Sequence, residues 1–305
     1  MALHEIPLER RTLHGHFSRD LEPILTVDSG DTMAFSCLSS GWFSEPGVQF
    51  EPRDPELDAG HALVGPVEVR GAKAGQVLEV AIERVAVGSW GFCQAGGFST
   101  PLNDRLGMSD DPGVALLWEL ADGVGRDEAG REVDLAPFLG VVGMPPPEAG
   151  IHPTAPPRVS GGNVDCKELV EGTRLYLPIG VDGALLSAGD GHARQGDGEV
   201  SQLAIECPLE RAELTLTVRD DLELRTPVAW TPAAWLTLGF DEDLDEAAAI
   251  AIDAMLELMG REHDLGRADA LALASIVVDL RVTQMVNGVR GVHAVLAHDA
   301  LRFAS

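Results

Sequence analysis

The chain has 305 residues, with 22 lysines and arginines against 49 aspartates and glutamates, a formal net charge of −27. A field of that sign repels phosphate polymers, which argues against nucleic acid as a partner and leaves neutral or cationic small molecules open. The length suffices for one large or two ordinary domains with a sizeable core, and no run reaches the roughly 18 uninterrupted apolar residues of a membrane span.

The opening, MALHEIPLERRTLHGHFSRD, has no apolar h-region and is not read as a secretory signal. Cys37, Cys93, Cys166 and Cys207 are far apart and form no Cys-x-x-Cys pair. That is the pattern of buried reduced thiols rather than of a disulfide framework or a thiolate zinc site. A cytoplasmic location is expected.

In chain order, the first hundred residues read as β. ILTVDSGDTMAFSCL predicts a strand, a Ser-Gly-Asp turn and a second strand, an N-terminal hairpin. The acid- and proline-rich SEPGVQFEPRDPELDAG predicts a surface loop. His61 follows it at the start of a strand, where a rigid sheet can present a side chain to a cleft; a satisfied structural histidine is the alternative. VRGAKAGQVLEVAIERVAVG repeats the strand–turn–strand pattern, and WGFCQAGGF (90–98) reads as a tight bend packed by aromatics or as an apolar pocket wall. The acidic stretch 104–135 predicts a short strand or two with turns. FLGVVG is an apolar strand, and the proline-dense excursion after it ends in Gly161-Gly162-Asn163-Val164-Asp165.

The stretch from Leu185 to Glu206, LLSAGDGHARQGDGEVSQLAIE, has apolar runs on both sides, LYLPIGV and VSQLAIE, that read as two strands. Extended backbone from Asp190 to His192 points both side chains to one face. A carboxylate and an imidazole so placed are half of a divalent-metal site. The Asp197-Gly198 turn returns Glu199 to the same neighbourhood, where a glutamate beside an activated water is a candidate general base. The alternative is a glycine-rich loop whose Asp and His cap backbone groups.

Further strands follow in ERAELTLTVRDDLELRTPVAW. Two helices come next, AAAIAIDAMLELMGREH with acids in its first turn and basic residues in its last, then ADALALASIVVDLRVTQ. The chain thus divides into a β-rich part, 1–235, and a helical part, 240–305. Strands first and helices last predict a predominantly β, α+β fold.

These pieces resemble the acetamidase/formamidase family of short-chain amide hydrolases. The resemblance is carried by LTVDSGDT, GHALVGPVEVRGAKAGQVLEV, FLGVVGMPP, PPRVSGGNVD, GTRLYLPIGVDGALLSAGDGHARQGDGEV and VDLRVTQMVNGVRGVHAVL, in the family's order. It covers nearly the whole chain, as a single domain over 1–305. It implies packed β-sheets with two C-terminal helices, hydrolysis of formamide or acetamide to the acid and ammonia, a cytoplasmic location and a homo-oligomer. Two departures are visible. The family's His-Pro-Leu-Thr-Gly-Pro is here His61-Ala62-Leu63-Val64-Gly65-Pro66, and 90–98 departs from its Gly-Phe-Gly-rich form.

Amide hydrolysis needs a strong nucleophile, charge stabilisation on oxygen and a proton for the leaving nitrogen. Ser39-Ser40-Gly41 is too bare for a serine amidase loop. Cys166-Lys167-Glu168 has the letters of a nitrilase-type site, but adjacent side chains point to different faces, so such a site needs distant partners. It stays as the alternative chemistry, and a non-catalytic metal-binding β-rich protein as the alternative of another class. The preferred solution is a metal that activates water. His61, Asp165, Asp190 and His192 supply two imidazoles and two carboxylates at glycine-flanked strand or loop ends, a set suited to zinc or another first-row divalent ion. Glu199 is then the proton carrier, and Asn163 and Gln195, donors and acceptors at once, are the candidate contacts to the amide.

Overall fold

In the computed structural model, which describes residues 1–51 and 53–302, strands dominate and the two long helices lie near the C-terminus. A nine-stranded sheet runs in the order Leu3–Ile6, Asp31–Cys37, Leu209–Arg219, Val77–Val87, Arg174–Pro178, Val228–Trp230, Ala234–Asp241, Arg290–Ala297 and Val278–Gln284. A six-stranded sheet runs Gly161–Asn163, Phe138–Gly143, Leu186–His192, Leu63–Val69 and Leu13–His14, with Leu25–Val27 also paired to Leu63–Val69. A four-stranded sheet of Glu132–Asp134, Val124–Asp127, Val114–Ala121 and Trp90–Ala95 stands beside them.

The two larger sheets share one core. Met33, Phe35, Leu78, Val80, Leu175, Leu214 and Leu216 of the first pack with Val64, Val67, Val69, Leu139, Val142, Leu186 and Ala188 of the second. In Leu209–Arg219 the buried residues Ala212, Leu214 and Leu216 alternate with more exposed ones, the signature of a strand with one face on a core. Leu186–His192 has no exposed residue at all, because strands flank it on both sides and the core lies beneath.

Two of the expected hairpins are not hairpins. Leu25–Val27 and Asp31–Cys37 reverse through a turn closed by Asp31 N–H to Asp28 O, but they join different sheets. The first pairs in parallel with Leu63–Val69, the second with Leu3–Ile6 and Leu209–Arg219. Likewise Leu63–Val69 and Val77–Val87, read as one strand–turn–strand unit, sit in opposite sheets. A turn signal marks where the chain reverses; whether the strands pair or face each other across a core depends on which faces are apolar.

A third correction concerns the central stretch. The strand there is Leu186–His192 itself, and Val200–Glu206 makes only isolated bridges, Glu206 to Phe92 and to His192. The loop expected around 44–60 carries a short hairpin, Phe43–Glu45 with Val48–Gln49; position 52 lies outside the described residues. The acidic 104–135 region supplies three strands, preceded by a short helix, α1 (Pro101–Leu106), with Thr100 as its N-cap.

Helix α2 (Leu244–His263) is capped by Asp243, whose side chain accepts from Asp245 N–H and Glu246 N–H. Its stripe Ala247, Ala251, Met255, Leu258 and Met259 packs on the far end of the large sheet. Helix α3 (Arg267–Val277) stops earlier than expected. The β-branched run Ile276-Val277-Val278 leads into the strand Val278–Gln284, which pairs with Arg290–Ala297 to close the chain as a hairpin rather than a helix. That hairpin returns to the site.

Candidate functional site

Phe138–Gly143 and Leu186–His192 lie antiparallel, with Leu139 opposite Gly191 and Val141 opposite Gly189. Asp190 and His192 sit two apart on the second strand, and their side chains meet: His192 Nε2 is 3.3 Å from Asp190 Oδ2. A Cβ added to Gly140 would stand 2.4 Å from Asp190 Oδ2, 2.8 Å from His192 Cε1 and 2.9 Å from Asp165 Oδ1. Glycine is therefore required there, because the three polar groups converge on the space a side chain would fill.

Asp165 arrives from the neighbouring strand, Gly161–Asn163. The N–H groups of Val164 and Asp165 both donate to Gly140 O, at 3.0 and 3.2 Å, and hold the turn against the sheet. Asn287 Nδ2 donates to Asp165 Oδ2 at 2.7 Å, and Gln195 Nε2 to Asp165 O at 2.6 Å. Glu199 follows the Asp197-Gly198 turn, with its N–H bonded to Gly196 O. Glu206 comes last, its backbone clasped by Phe92 N–H to Glu206 O (2.9 Å) and Glu206 N–H to Phe92 O (2.8 Å). Gly91 permits that clasp, since a Cβ there would lie 2.9 Å from Glu206 O. The aromatic segment at 90–98 is thus partly strand, Trp90–Ala95, and one of its tasks is to fix Glu206.

The ligand atoms of Asp165, Asp190 and His192 lie within 4.8 Å of one another, and so do those of His192, Glu199 and Glu206. His192 Nε2 is 3.2 Å from Glu206 Oε1 and belongs to both groups. His61 is in neither. Its Nδ1 is 2.7 Å from Thr154 Oγ1, and it lines a cavity of about 580 Å³ together with Trp42 and Thr154. It lies near enough to Asp190 to act, after His192, on that carboxyl. Asn163 and Gln195 are buried, and among the described residues neither Asn163 Oδ1 nor Gln195 Oε1 has a hydrogen-bond partner. Glu206 escaped the sequence reading. It ends an apolar run in which nothing but its charge marks it, and its partner His192 is found only by folding.

Three of the carboxylates sit on left-handed backbone: Asp165 at φ 48°, Asp190 at φ 61° and Glu199 at φ 47°. Such conformations cost L-residues about 1 kcal/mol or more each and gather at functional sites. All four carboxylates and His192 are buried, and among the described residues no lysine or arginine forms an ion pair with any of the four. Buried charge without a counter-ion costs several kcal/mol per ion, so protons or a cation must compensate. Burial, reinforced by Asp190 and Glu206, pushes Asp165 up to about 8 against the pull of His192. Burial, with Asp165 next, also raises Glu199 well above the usual carboxylate range. Burial acts to strip His192 of its proton, but Glu206 and Asp190 outweigh it and hold the ring well above its ordinary value. Burial works against ionised Asp190 too, yet His192, then His61, keeps that carboxyl below the usual range.

Does this set suit a divalent cation? Asp165 Oδ1, Asp190 Oδ1, Glu199 Oε2 and Glu206 Oε2 are buried and find no hydrogen-bond donor among the described residues. Orphaned carboxylate oxygens converging on an imidazole, with excess negative charge and a space kept clear by Gly140, suit one. The donors are hard oxygens plus one nitrogen, with no thiolate among them. The thiol alternative fares worse. Cys166 is fully buried, and burial, then the nearby Glu168 carboxylate, raises its pKa well above the ordinary value, the reverse of an activated nucleophile. Lys167 pairs with Asp197 at 2.8 Å.

A polar, carboxylate-rich centre is thus buried where the strand Leu186–His192 meets the segments bearing Asp165, Glu199 and Glu206, and among the described residues no helix is long and apolar enough to cross a membrane. Residues 4–149 and 148–228 match the Acetamidase/Formamidase family, and the chain belongs to it. The crystal structure of an acetamidase from Bacillus halodurans superposes with a TM-score of 0.84 at 29% identity, over 96% of this chain and 97% of that one. The formamidase of Methylophilus methylotrophus is 28% identical over 245 residues, 62% of this chain and 60% of its own. The acetamidase of Mycolicibacterium smegmatis is 24% identical over 254 residues, 62% of this chain and 61% of its own. The chain thus spans about three fifths of the length of these two curated relatives.

Proposed function

We propose that the chain hydrolyses short neutral amides, formamide and acetamide first among them, to the carboxylic acid and ammonia. The observation that carries this reading is the meeting of two groups at His192: Asp165 and Asp190 with it beside Gly140 in one, and Glu199 and Glu206 with it in the other. Family membership supplies the amide bond as the target.

Asp165, Asp190 and His192 are assigned as holders of a divalent cation, zinc by expectation, with Glu206 beside them and His61 at the approach. When bound, such a cation supplies Lewis acidity, polarising a carbonyl oxygen and lowering the pKa of water to about 7. Glu199 carries the proton. Its Oε2 is buried and unpartnered, and burial favours its protonated form. In its ionised form it is by the same token a strong base, which takes a proton from the attacking water and delivers it to the nitrogen as the carbon–nitrogen bond breaks. Asn163 Oδ1 and Gln195 Oε1, free acceptors, orient the amide through its N–H bonds. His192, held between Asp190 and Glu206, would serve as a ligand only as the neutral ring, its proton displaced by the cation.

A cytoplasmic location and a homo-oligomer belong to the same reading. Leu271, Ile276 and Leu280 are exposed apolar side chains that a subunit contact could cover. The direct test is ammonia release from a panel of short amides by the wild type and by Glu199→Gln. Turnover of formamide or acetamide that falls about 10²–10⁴-fold in the variant supports the assignment; no turnover of any amide by the wild type rejects it.

A further inference from the structure

The C-terminal hairpin, read from sequence as part of a helical end, reaches the site through its tip. Asn287 sits between the strands Val278–Gln284 and Arg290–Ala297, and its Nδ2 donates to Asp165 Oδ2 at 2.7 Å. The other oxygen, Oδ1, is buried, finds no hydrogen-bond donor among the described residues, and faces the space beside Gly140 that Asp190 Oδ2 also faces. One oxygen of the carboxylate is tethered and the other is free.

The tip is itself held rigidly. Gln284, fully buried, accepts at Oε1 from the N–H groups of Val286 (3.0 Å) and Asn287 (3.2 Å), and donates through Nε2 to Val289 O at 2.8 Å. Its outer side is bonded to the loop that bears Glu199. Gly198 N–H donates to Thr283 O at 3.1 Å, Met285 N–H to Gly198 O at 3.2 Å, and Gln202 Nε2 to Val286 O at 3.1 Å. One turn therefore grips Asp165 and brackets Glu199 from both sides in sequence.

We infer that Asn287 is a positioning residue of the cation site, fixing which oxygen of Asp165 acts as donor, and that the turn carrying it keeps the Glu199 loop in register with that donor. The inference rests on the divalent-cation reading above. A carboxylate free to rotate can offer either oxygen, or both; one held by a hydrogen bond from outside offers a single donor in a single direction. Outer partners of this kind typically contribute 10–100-fold in metal affinity. A turn that merely closed the hairpin would need Gln284 and the backbone bonds, not an amide directed at a buried carboxylate.

The test is a titration of chelator-stripped wild type, Asn287→Ala and Gln202→Ala with zinc, and with manganese, against a competing chromogenic chelator, alongside melting of the stripped proteins. Asn287→Ala is expected to weaken metal binding about 10–100-fold while the stripped proteins melt together. Gln202→Ala, which loosens the Glu199 loop without touching Asp165, is expected to lower kcat with metal affinity within twofold of wild type. Should Asn287→Ala fail to fold, Asn287→Ser, too short to reach the carboxylate, takes its place with the same expectation. Metal affinity in the Asn287 variant within threefold of wild type overturns the inference, and so does a loss in Gln202→Ala as large as in Asn287→Ala, which would mean general loosening. A wild type that binds neither ion overturns the cation reading as well, which separates that failure from the other two.

Discussion

His192 Nε2 and Glu206 Oε1 face each other at 3.2 Å across an isolated antiparallel bridge, in the interior and with no other cation beside Glu206 among the described residues. This contact joins the strand carrying Asp190 to the segment clasped by Phe92. Glu206 also accepts Ala204 N–H at 3.0 Å through the same oxygen, which leaves Oε2 without a partner.

Glu206→Gln keeps the shape and removes one negative charge from the set around His192. If Glu206 helps to hold the cation, the variant loses about 10–100-fold in metal affinity and loses amide turnover with it. Elemental analysis after dialysis reads this directly. Full metal content at wild-type turnover would reduce Glu206 to a structural partner of His192.

Gly140→Ala tests the space rather than a ligand. The new methyl carbon would stand 2.4 Å from Asp190 Oδ2, so the carboxylate must move. A displacement on the order of 1 Å at a reacting site costs about 10²-fold in rate. We expect kcat/KM for formamide to fall by about that factor while the protein stays folded by circular dichroism. Unchanged kinetics would mean that the groups around Gly140 do not take part.

Glu168 gives a pH prediction outside the cluster. It pairs with Arg281 at 2.9 Å and lies 3.5 Å from His293. Burial works against its ionisation, but His293, with Cys166 and Lys167, brings its pKa down to about 2. A carboxyl lowered in the folded state stabilises above its unfolded value, near 4.3, and that contribution fades as pH falls towards 2. It is on the order of 3 kcal/mol at neutral pH by linkage. Glu168→Gln should therefore melt well below wild type at pH 7, with the gap closing as pH drops below about 4. A gap constant from pH 7 to pH 3 would contradict the assignment.

The glycine-rich segments 161–165 and 189–199 were legible because their chemistry is local: permissive turns, and Asp and His spaced for one face. Asp165, Asp190 and His192 form one group and Glu199 meets His192 in a second, while His61, expected beside them, is in neither. Glu206 and Asn287 were not legible, since each enters through a contact between segments remote in sequence, Phe92 with Glu206 and Asn287 with Asp165. The misread hairpins at 25–37 and 63–87 have a related cause. Turn residues report chain reversal, while membership of one sheet or two is decided by burial on both sides of a shared core. The over-long second helix shows apolar periodicity running through Val277 into a strand whose β-branched residues prefer extension.

The most direct measurement pairs elemental analysis of the purified protein with ammonia release from formamide and acetamide before chelation, after it, and after metal is restored. The account predicts one divalent ion per chain, turnover lost on its removal and regained on its return. A protein that holds no divalent ion as purified and releases ammonia undiminished after exhaustive chelation would contradict it.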